Sequence, residues 1–338
     1  MACWLNLGQM LNVNAHERSE LVTSEPKIAI IGTGPVGGIL GAHLARAGHY
    51  VVLCDILKDH LDAIKEKGLT ITGVSEITAK CERLAYGISE LSNFPETDTF
   101  VICTKASILP RILPQIAETA RPGARFICNQ NGLDNEDLMA KTFGPDNVLR
   151  MVPNYAGSLT GDGEIWMSFF NRPNYIGAMT LQGEPFARQM AAMMTEAGIE
   201  TQFTTDIKRY EWEKTLLNAA NNPVCALTRK RIKEVMDLAP TESLVEDLLR
   251  EGLEVAEAAW VTFDKGFFDH GIQHLKNVGY HKPSMLQDVE RGAMTEIDWL
   301  NGKIVEHAHA HGLKAPNHSA ITRLVKGLEI KSTAPGEH

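Results

Sequence analysis

Residues 27–38 read Lys27-Ile28-Ala29-Ile30-Ile31-Gly32-Thr33-Gly34-Pro35-Val36-Gly37-Gly38, and this stretch decides the fold. A short apolar run enters a glycine pattern of the form GxGxxG, with Gly32, Gly34 and Gly37 at its fixed positions. Residues 38–47 then carry a helical pattern, Gly48-His49 is its stop, and residues 50–54 (Tyr50 to Cys54) are a second buried strand. Gly32 permits the tight turn, Gly34 lets the backbone approach a pyrophosphate, and Gly37 lets the helix pack on the strand. The helix N-terminus offers free N–H groups and a positive dipole end to phosphates. A glycine pattern alone is weak evidence. Inside a strand–turn–helix–strand unit that ends on an acidic residue it points strongly to a dinucleotide site, built here from Gly32, Thr33, Gly34, Pro35, Val36 and Gly37.

That acidic residue is Asp55, about 20 residues beyond the glycines as the fingerprint requires. A carboxylate there can accept both hydroxyls of an adenosine ribose and repels a 2′-phosphate, so the expected cofactor is NAD. NADP is the alternative, because Lys58 is near enough to meet a phosphate. Capping of the following helix is the other role open to Asp55.

At 338 residues the chain suits two domains and can bury a large core. A formal net charge of −9 gives no support for general nucleic-acid or membrane binding. The six cysteines (Cys3, Cys54, Cys81, Cys103, Cys128 and Cys225) have no CxxC or metal spacing, and three lie in apparent strands. Reduced core thiols and a cytoplasmic enzyme are the expectation. Residues 1–24 lack the features of a signal peptide and are expected to be a loosely ordered extension. No apolar run reaches transmembrane length.

Strand-like runs alternate with helical patterns up to about residue 205: strands at 99–103 and 124–128, helices at 59–67, 107–119 and 184–197, and short strands within 69–86 and 148–177. This succession predicts an α/β fold with a mostly parallel, doubly wound sheet. From Asp206 long helical patterns take over (206–227, 241–261, 295–311 and 317–330). The expected division is therefore an extension (1–24), a dinucleotide-binding domain (25–205), a helical domain (206–330) and a tail (331–338).

Within the first long helix, residues 211–222 place Lys214, Asn218 and Asn222 four residues apart on one face, beside Leu216, Leu217 and Ala220. One cation and two carboxamides against an apolar neighbourhood make a surface for a small oxygenated molecule. A solvated polar face is the alternative. Two loops after predicted strands, at Lys105 and at Asn131-Gly132, lie where open α/β sheets bind ligands, although turn chemistry alone accounts for Asn before Gly. Ser284 and Gln287 have capping-box spacing, and Glu296 falls in the first turn of the predicted helix that runs to His311. His307, His309 and His311 alternate on that helix without a glutamate in HExxH order, so no metal site is expected.

Taken in order, the glycine motif, Cys103-Thr104-Lys105, Asn131-Gly132, Trp212-x-Lys214-x-x-x-Asn218-x-x-x-Asn222-Pro223, residues 284–288 from Ser284 to Asp288, and Thr295-Glu296-Ile297-Asp298 resemble the ketopantoate reductases (2-dehydropantoate 2-reductases), from roughly Lys27 to Glu329. The resemblance implies a Rossmann-type domain followed by an all-α domain of the 6-phosphogluconate-dehydrogenase C-terminal type. It implies reduction of a 2-oxoacid by a nicotinamide cofactor, with Lys214 as general acid and Glu296 positioning substrate or lysine. Asn218 and Asn222 would bind substrate, Ser284 its carboxylate, Asn131 the reacting region, and Lys105 would line the cofactor site. Hydride transfer to a ketone builds negative charge on oxygen, which a nearby ammonium stabilises before donating its proton. The chain departs from NADPH-using members, which carry a basic residue where Asp55 stands. The alternatives are an NAD-dependent dehydrogenase acting on another hydroxy acid or an opine-like substrate, and a non-catalytic NAD-binding sensor. The expected partners are a small 2-oxoacid or 2-hydroxyacid and a second copy of the chain, with no nucleic acid or membrane.

Overall fold

The computed structural model describes residues 25–329; the expected extension (1–24) and tail (331–338), with Cys3, lie outside the described residues. Strands in chain order are β1 (Ile28–Ile31), β2 (Val51–Cys54), β3 (Leu69–Gly73), β4 (Ile77–Ala79), β5 (Arg83–Ala85), β6 (Thr99–Ile102), β7 (Arg125–Cys128), β8 (Val148–Val152), β9 (Tyr155–Gly161), β10 (Glu164–Phe170), β11 (Asn174–Ala178) and β12 (Thr201–Phe203). Helices are α1 (Pro35–Arg46), α2 (Lys58–Lys67), α3 (Leu109–Thr119), α4 (Asn135–Phe143), α5 (Glu184–Glu196), α6 (Ile207–Thr228), α7 (Ile232–Met236), α8 (Ala239–Ala258), α9 (Phe267–Asn277), α10 (Ser284–Glu290), α11 (Asn301–Ala310) and α12 (Pro316–Glu329).

The main sheet has the order β12-β11-β8-β7-β6-β1-β2-β5. Every neighbouring pair is parallel except β8 with β11. Strands β1, β2 and β6 are buried along their whole length, which is why they read as unbroken apolar runs instead of alternating ones. The chain passes from β1 to β2 on one side and returns to β6 on the other, so the order reverses beside β1. That reversal is the switch point at which such sheets hold dinucleotides.

A second sheet, β4-β3-β10-β9, was not foreseen as a separate layer. Its strands are one-sided: in β10, Ile165 and Met167 are buried while Trp166 between them is exposed. That alternation is legible locally, but the parallel pairing of β3 with β10, nearly a hundred residues on, is not.

Contacts divide the chain into two units. One holds residues 25–104, 111–129 and 139–205; the other holds 105–110, 130–138 and 206–329. The second unit is helical and centres on α6, which packs against α8, α10 and α12 and is buried on most sides. Pro223 lies inside α6 without ending it. Proline has no N–H to give the carbonyl four residues back. Asn301 Nδ2 supplies that donor, 2.8 Å from the Ala219 oxygen.

Several expectations for this unit need correction. The predicted helix 295–311 is a 3-10 turn (Ile297–Trp299) followed by α11, with the break at Leu300 (φ −101°, ψ −91°). Bonds made outside the segment hold it out of helix: Glu329 accepts from the Thr295 N–H and hydroxyl at 2.8 and 2.6 Å. The helix expected at 241–261 spans Ala239–Ala258. Helix α9 was missed, since Gly271 interrupts its pattern and Gly266 and Gly279 flank it closely. No described helix is long and apolar enough to cross a membrane. Cys54, Cys81, Cys103, Cys128 and Cys225 form no disulfide among the described residues. Burial pushes Cys54, Cys103 and Cys225 up to about 12 and Cys81 to about 11, which leaves them unreactive at neutral pH.

Candidate active site

The glycine loop of the first unit has the geometry its residue types require. Gly32 has φ +97°, and a Cβ there would lie 2.9 Å from the Thr104 nitrogen. A Cβ on Gly37 would fall 2.0 Å from the Gly32 carbonyl oxygen, so any side chain would push α1 off the strand. A Cβ on Gly34 would meet nothing within 4 Å, which leaves one side of the loop open. Pro35 opens α1 with Gly34 at the N-cap, and the Val36 carbonyl accepts from the Tyr155 hydroxyl at 3.1 Å.

Asp55 does more than its position after β2 suggested. One carboxylate oxygen accepts from the Thr33 N–H (2.7 Å) and hydroxyl (2.9 Å). The other accepts from the N–H groups of Ile56 (2.7 Å) and Leu57 (3.1 Å). These four donors match the roughly four lone-pair sites of a carboxylate, so Asp55 braces the glycine loop. It does not cap α2, whose N-cap is Leu57 without a side-chain bond. Lys58 is largely exposed and pairs with Asp62 at 3.1 Å.

In the helical unit, Asn131, Asn218, Asn222, Ser284, Met285, Asp288, Glu296 and Leu300 line a narrow crevice. Asn218 and Asn222 project from successive turns of α6. Lys214 is half-buried one turn earlier on that face and is not part of the crevice lining. Asn131 and Gly132 combine turn and site. Gly132 has φ +92°, with the Trp299 oxygen 2.5 Å from where a Cβ would stand. The next N–H, of Leu133, donates to that oxygen at 3.2 Å.

The expected Ser284–Gln287 capping box is absent. Pro283 occupies the N-cap, which moves Ser284 into the first turn, and Gln287 instead donates to the Lys282 carbonyl at 2.9 Å. The Ser284 side chain is thereby left for the crevice.

Glu296 precedes the 3-10 turn and does not sit in the first turn of an α-helix. It accepts from the Ala106 N–H at 3.0 Å. Burial pushes its pKa above the ordinary glutamate range, and the Asp288 charge acts in the same direction. The Ala106 N–H, the Lys105 charge and the Asn131 side chain pull it partly back.

Lys105 is held within the helical unit, 2.7 Å from Asp288 and 2.8 Å from the Met294 carbonyl. Asp288, nearly fully buried and also bonded to Arg291 at 2.9 Å, is the functional-looking residue that sequence reasoning passed over. Its position four residues after Ser284, hence on the same face of α10, was the available signal.

Of the histidines, His307 contacts Asp134 at 3.1 Å and the Trp212 ring edge-on at 5.0 Å. Among the described residues no group of three or more His, Cys, Asp or Glu side chains could hold a metal ion.

A crevice lined by three carboxamides, a hydroxyl and two carboxylates, with Met285 and Leu300 as apolar wall, suits a small molecule that carries several oxygens on a short carbon skeleton.

Comparison with known proteins gives concordant results. The family model described as "Ketopantoate reductase PanE/ApbA" matches residues 28–180, and "Ketopantoate reductase PanE/ApbA C terminal" matches residues 206–329. A 2-dehydropantoate 2-reductase of Pyrococcus abyssi is 32% identical over 305 residues, covering 90% of this chain and 98% of the relative. Among solved structures, a D-mandelate dehydrogenase in ternary complex with NADH and anilino(oxo)acetate is 26% identical with a TM-score of 0.81, covering 89% of this chain and 97% of that one. A PanE/ApbA family ketopantoate reductase from Ralstonia eutropha JMP134 is 26% identical with a TM-score of 0.79, over 89% and 98% of the two chains.

Proposed function

The chain belongs to the ketopantoate reductase family, and from that membership we propose that it reduces a 2-oxoacid, ketopantoate first among them, with hydride from a nicotinamide cofactor. The observation that carries this reading is the convergence of Asn131, Asn218, Asn222, Ser284 and Glu296, from four separated stretches of chain, on one crevice. Ser284 and the carboxamides bind the carboxylate and hydroxyl oxygens, while Met285 and Leu300 face the carbon skeleton. Lys214, on the same face of α6, donates the proton to the carbonyl oxygen as hydride reaches its carbon. Glu296 holds substrate and lysine in register, and Lys105 and Asp288 fix the loop that bears on Glu296.

The residues of the first unit fit a dinucleotide: the Gly32–Gly37 loop for the pyrophosphate, and Asp55 near the ribose. When bound, the cofactor supplies the hydride; the protein only aligns it. NADH is the proposed form. Because four protein donors already occupy the Asp55 carboxylate, this preference rests on its negative charge, which a 2′-phosphate would meet at close range. NADP is the alternative.

A second reading, oxidation of another 2-hydroxy acid with NAD, is favoured by the same charge and by the likeness to a D-mandelate dehydrogenase solved with NADH. A cytoplasmic enzyme that pairs with a second copy of the chain completes this proposal.

Steady-state oxidation of NADH and NADPH with ketopantoate, beside NAD reduction with D-mandelate, separates the two readings. Ketopantoate turnover with a Lys214→Ala loss of about 10²–10⁴-fold in kcat supports the first reading and its proton donor. Turnover of D-mandelate alone supports the second. A Lys214→Ala variant as active as wild type refutes the mechanism.

A further inference from the structure

Thr33, inside the glycine loop, is fully buried, and each of its polar groups has a partner. Its N–H and hydroxyl go to Asp55 at 2.7 and 2.9 Å. Its carbonyl oxygen lies 3.1 Å from Nε2 of His60, a buried residue of α2. The other ring nitrogen, Nδ1, accepts from the Gly163 N–H at 3.1 Å. Gly163 forms the tight turn between β9 and β10 with φ +74°, and its own carbonyl accepts from the Thr70 N–H at 2.9 Å.

These contacts settle the proton on the ring. A backbone N–H can only donate, so Nδ1 is the acceptor and Nε2 carries the hydrogen given to Thr33. A trans peptide is planar, with its C=O and N–H pointing in opposite directions. Holding the Thr33 carbonyl inward towards His60 therefore turns the Gly34 N–H outward, on the residue where a Cβ would meet nothing within 4 Å. We propose that His60 is a positioning residue for dinucleotide binding: it ties the glycine loop to the turn of the second sheet and so aims the Gly34 N–H at the pyrophosphate. The inference rests on the dinucleotide part of the reading above. It gives the second sheet a task in the site, since its turn orients the ring.

The test compares two variants that each keep one half of the histidine. Glutamine places a donor near the position of Nε2, whereas asparagine places an acceptor near that of Nδ1. NADH and NADPH binding is measured by fluorescence titration of wild type, His60→Gln, His60→Asn and His60→Phe, with melting curves to establish the folded fraction. His60→Gln, which keeps the donor to Thr33 but loses the tie to Gly163, should bind more weakly than wild type and more tightly than His60→Asn. His60→Asn and His60→Phe, which leave the buried Thr33 carbonyl without a donor, should weaken binding about ten-fold or more. KM for the 2-oxoacid should be unmoved. Equal affinities for the glutamine and asparagine variants, both folded, would overturn the brace while leaving the dinucleotide reading intact, even if His60→Phe does not fold. A wild type that binds neither cofactor would overturn both.

Discussion

Replacing Asn301 by leucine should cost about 3 kcal/mol of stability, and the reason is a proline in another helix. Pro223 leaves the Ala219 carbonyl of α6 without its intrahelical donor, and Asn301 Nδ2 fills the gap at 2.8 Å. The same amide contacts Nδ1 of His318 at 2.9 Å, while His318 Nε2 lies 2.9 Å from the Leu248 carbonyl, which can only accept. Asn301 and His318 are both fully buried, so solvent cannot replace the lost amide. Leucine is close in size but leaves two buried acceptors without donors, each costing roughly 1–3 kcal/mol, offset in part by added apolar burial.

A double-mutant cycle isolates the proline's share. In a Pro223→Ala background the new N–H donates to Ala219, so Asn301→Leu then orphans only His318 Nδ1. The penalty should shrink by about 1–2 kcal/mol. Urea transitions followed by tryptophan fluorescence and by circular dichroism, on all four proteins, measure it. An Asn301→Leu penalty of the same size in both backgrounds would show that the amide does not serve the proline gap.

Burial lowers the His318 pKa to about 4, against a reference value of 6.5. As pH falls the unfolded chain takes up this proton first, so the stability is complete above about 6.5 and is lost down to about 4, by about 3 kcal/mol at most. His318→Gln should flatten that part of a urea-midpoint against pH curve; a slope identical to wild type would contradict it. Asp55→Ser, which keeps an oxygen acceptor for Thr33 but drops the charge, should raise the NADPH to NADH ratio of kcat/KM about ten-fold. Equal losses with both cofactors would mean that Asp55 is a loop brace and nothing more.

Much of the first unit is legible because its determinants are local. The glycines answer to clashes with residues a few positions away or on the adjoining strand, and the unbroken apolar runs of β1, β2 and β6 announce strands buried on both faces. The stripe Lys214, Asn218 and Asn222 is likewise readable, since helical geometry alone puts residues four apart on one face. The placement of Ser284 was harder, because capping-box spacing gives the same local pattern as a helix capped one residue earlier, at Pro283. The break before α11 was hidden for a different reason: the Thr295 N–H and hydroxyl are claimed by Glu329, and no periodicity records a competing partner 34 residues away.

Sequence alone was enough for the α/β class, the tight glycine loop after β1, the change to helices after residue 205, and the family. All of these rest on short-range sterics, periodicity or ordered motifs. The folded chain was needed to show that Asp55 is filled by four donors, that Lys105 is bound to Asp288, and that six polar side chains from distant stretches meet in one crevice. Residue types and spacing say which groups can bond, but a buried carboxylate or carbonyl takes whichever donor the packed chain brings within about 3 Å, and that choice exists only once the chain has folded.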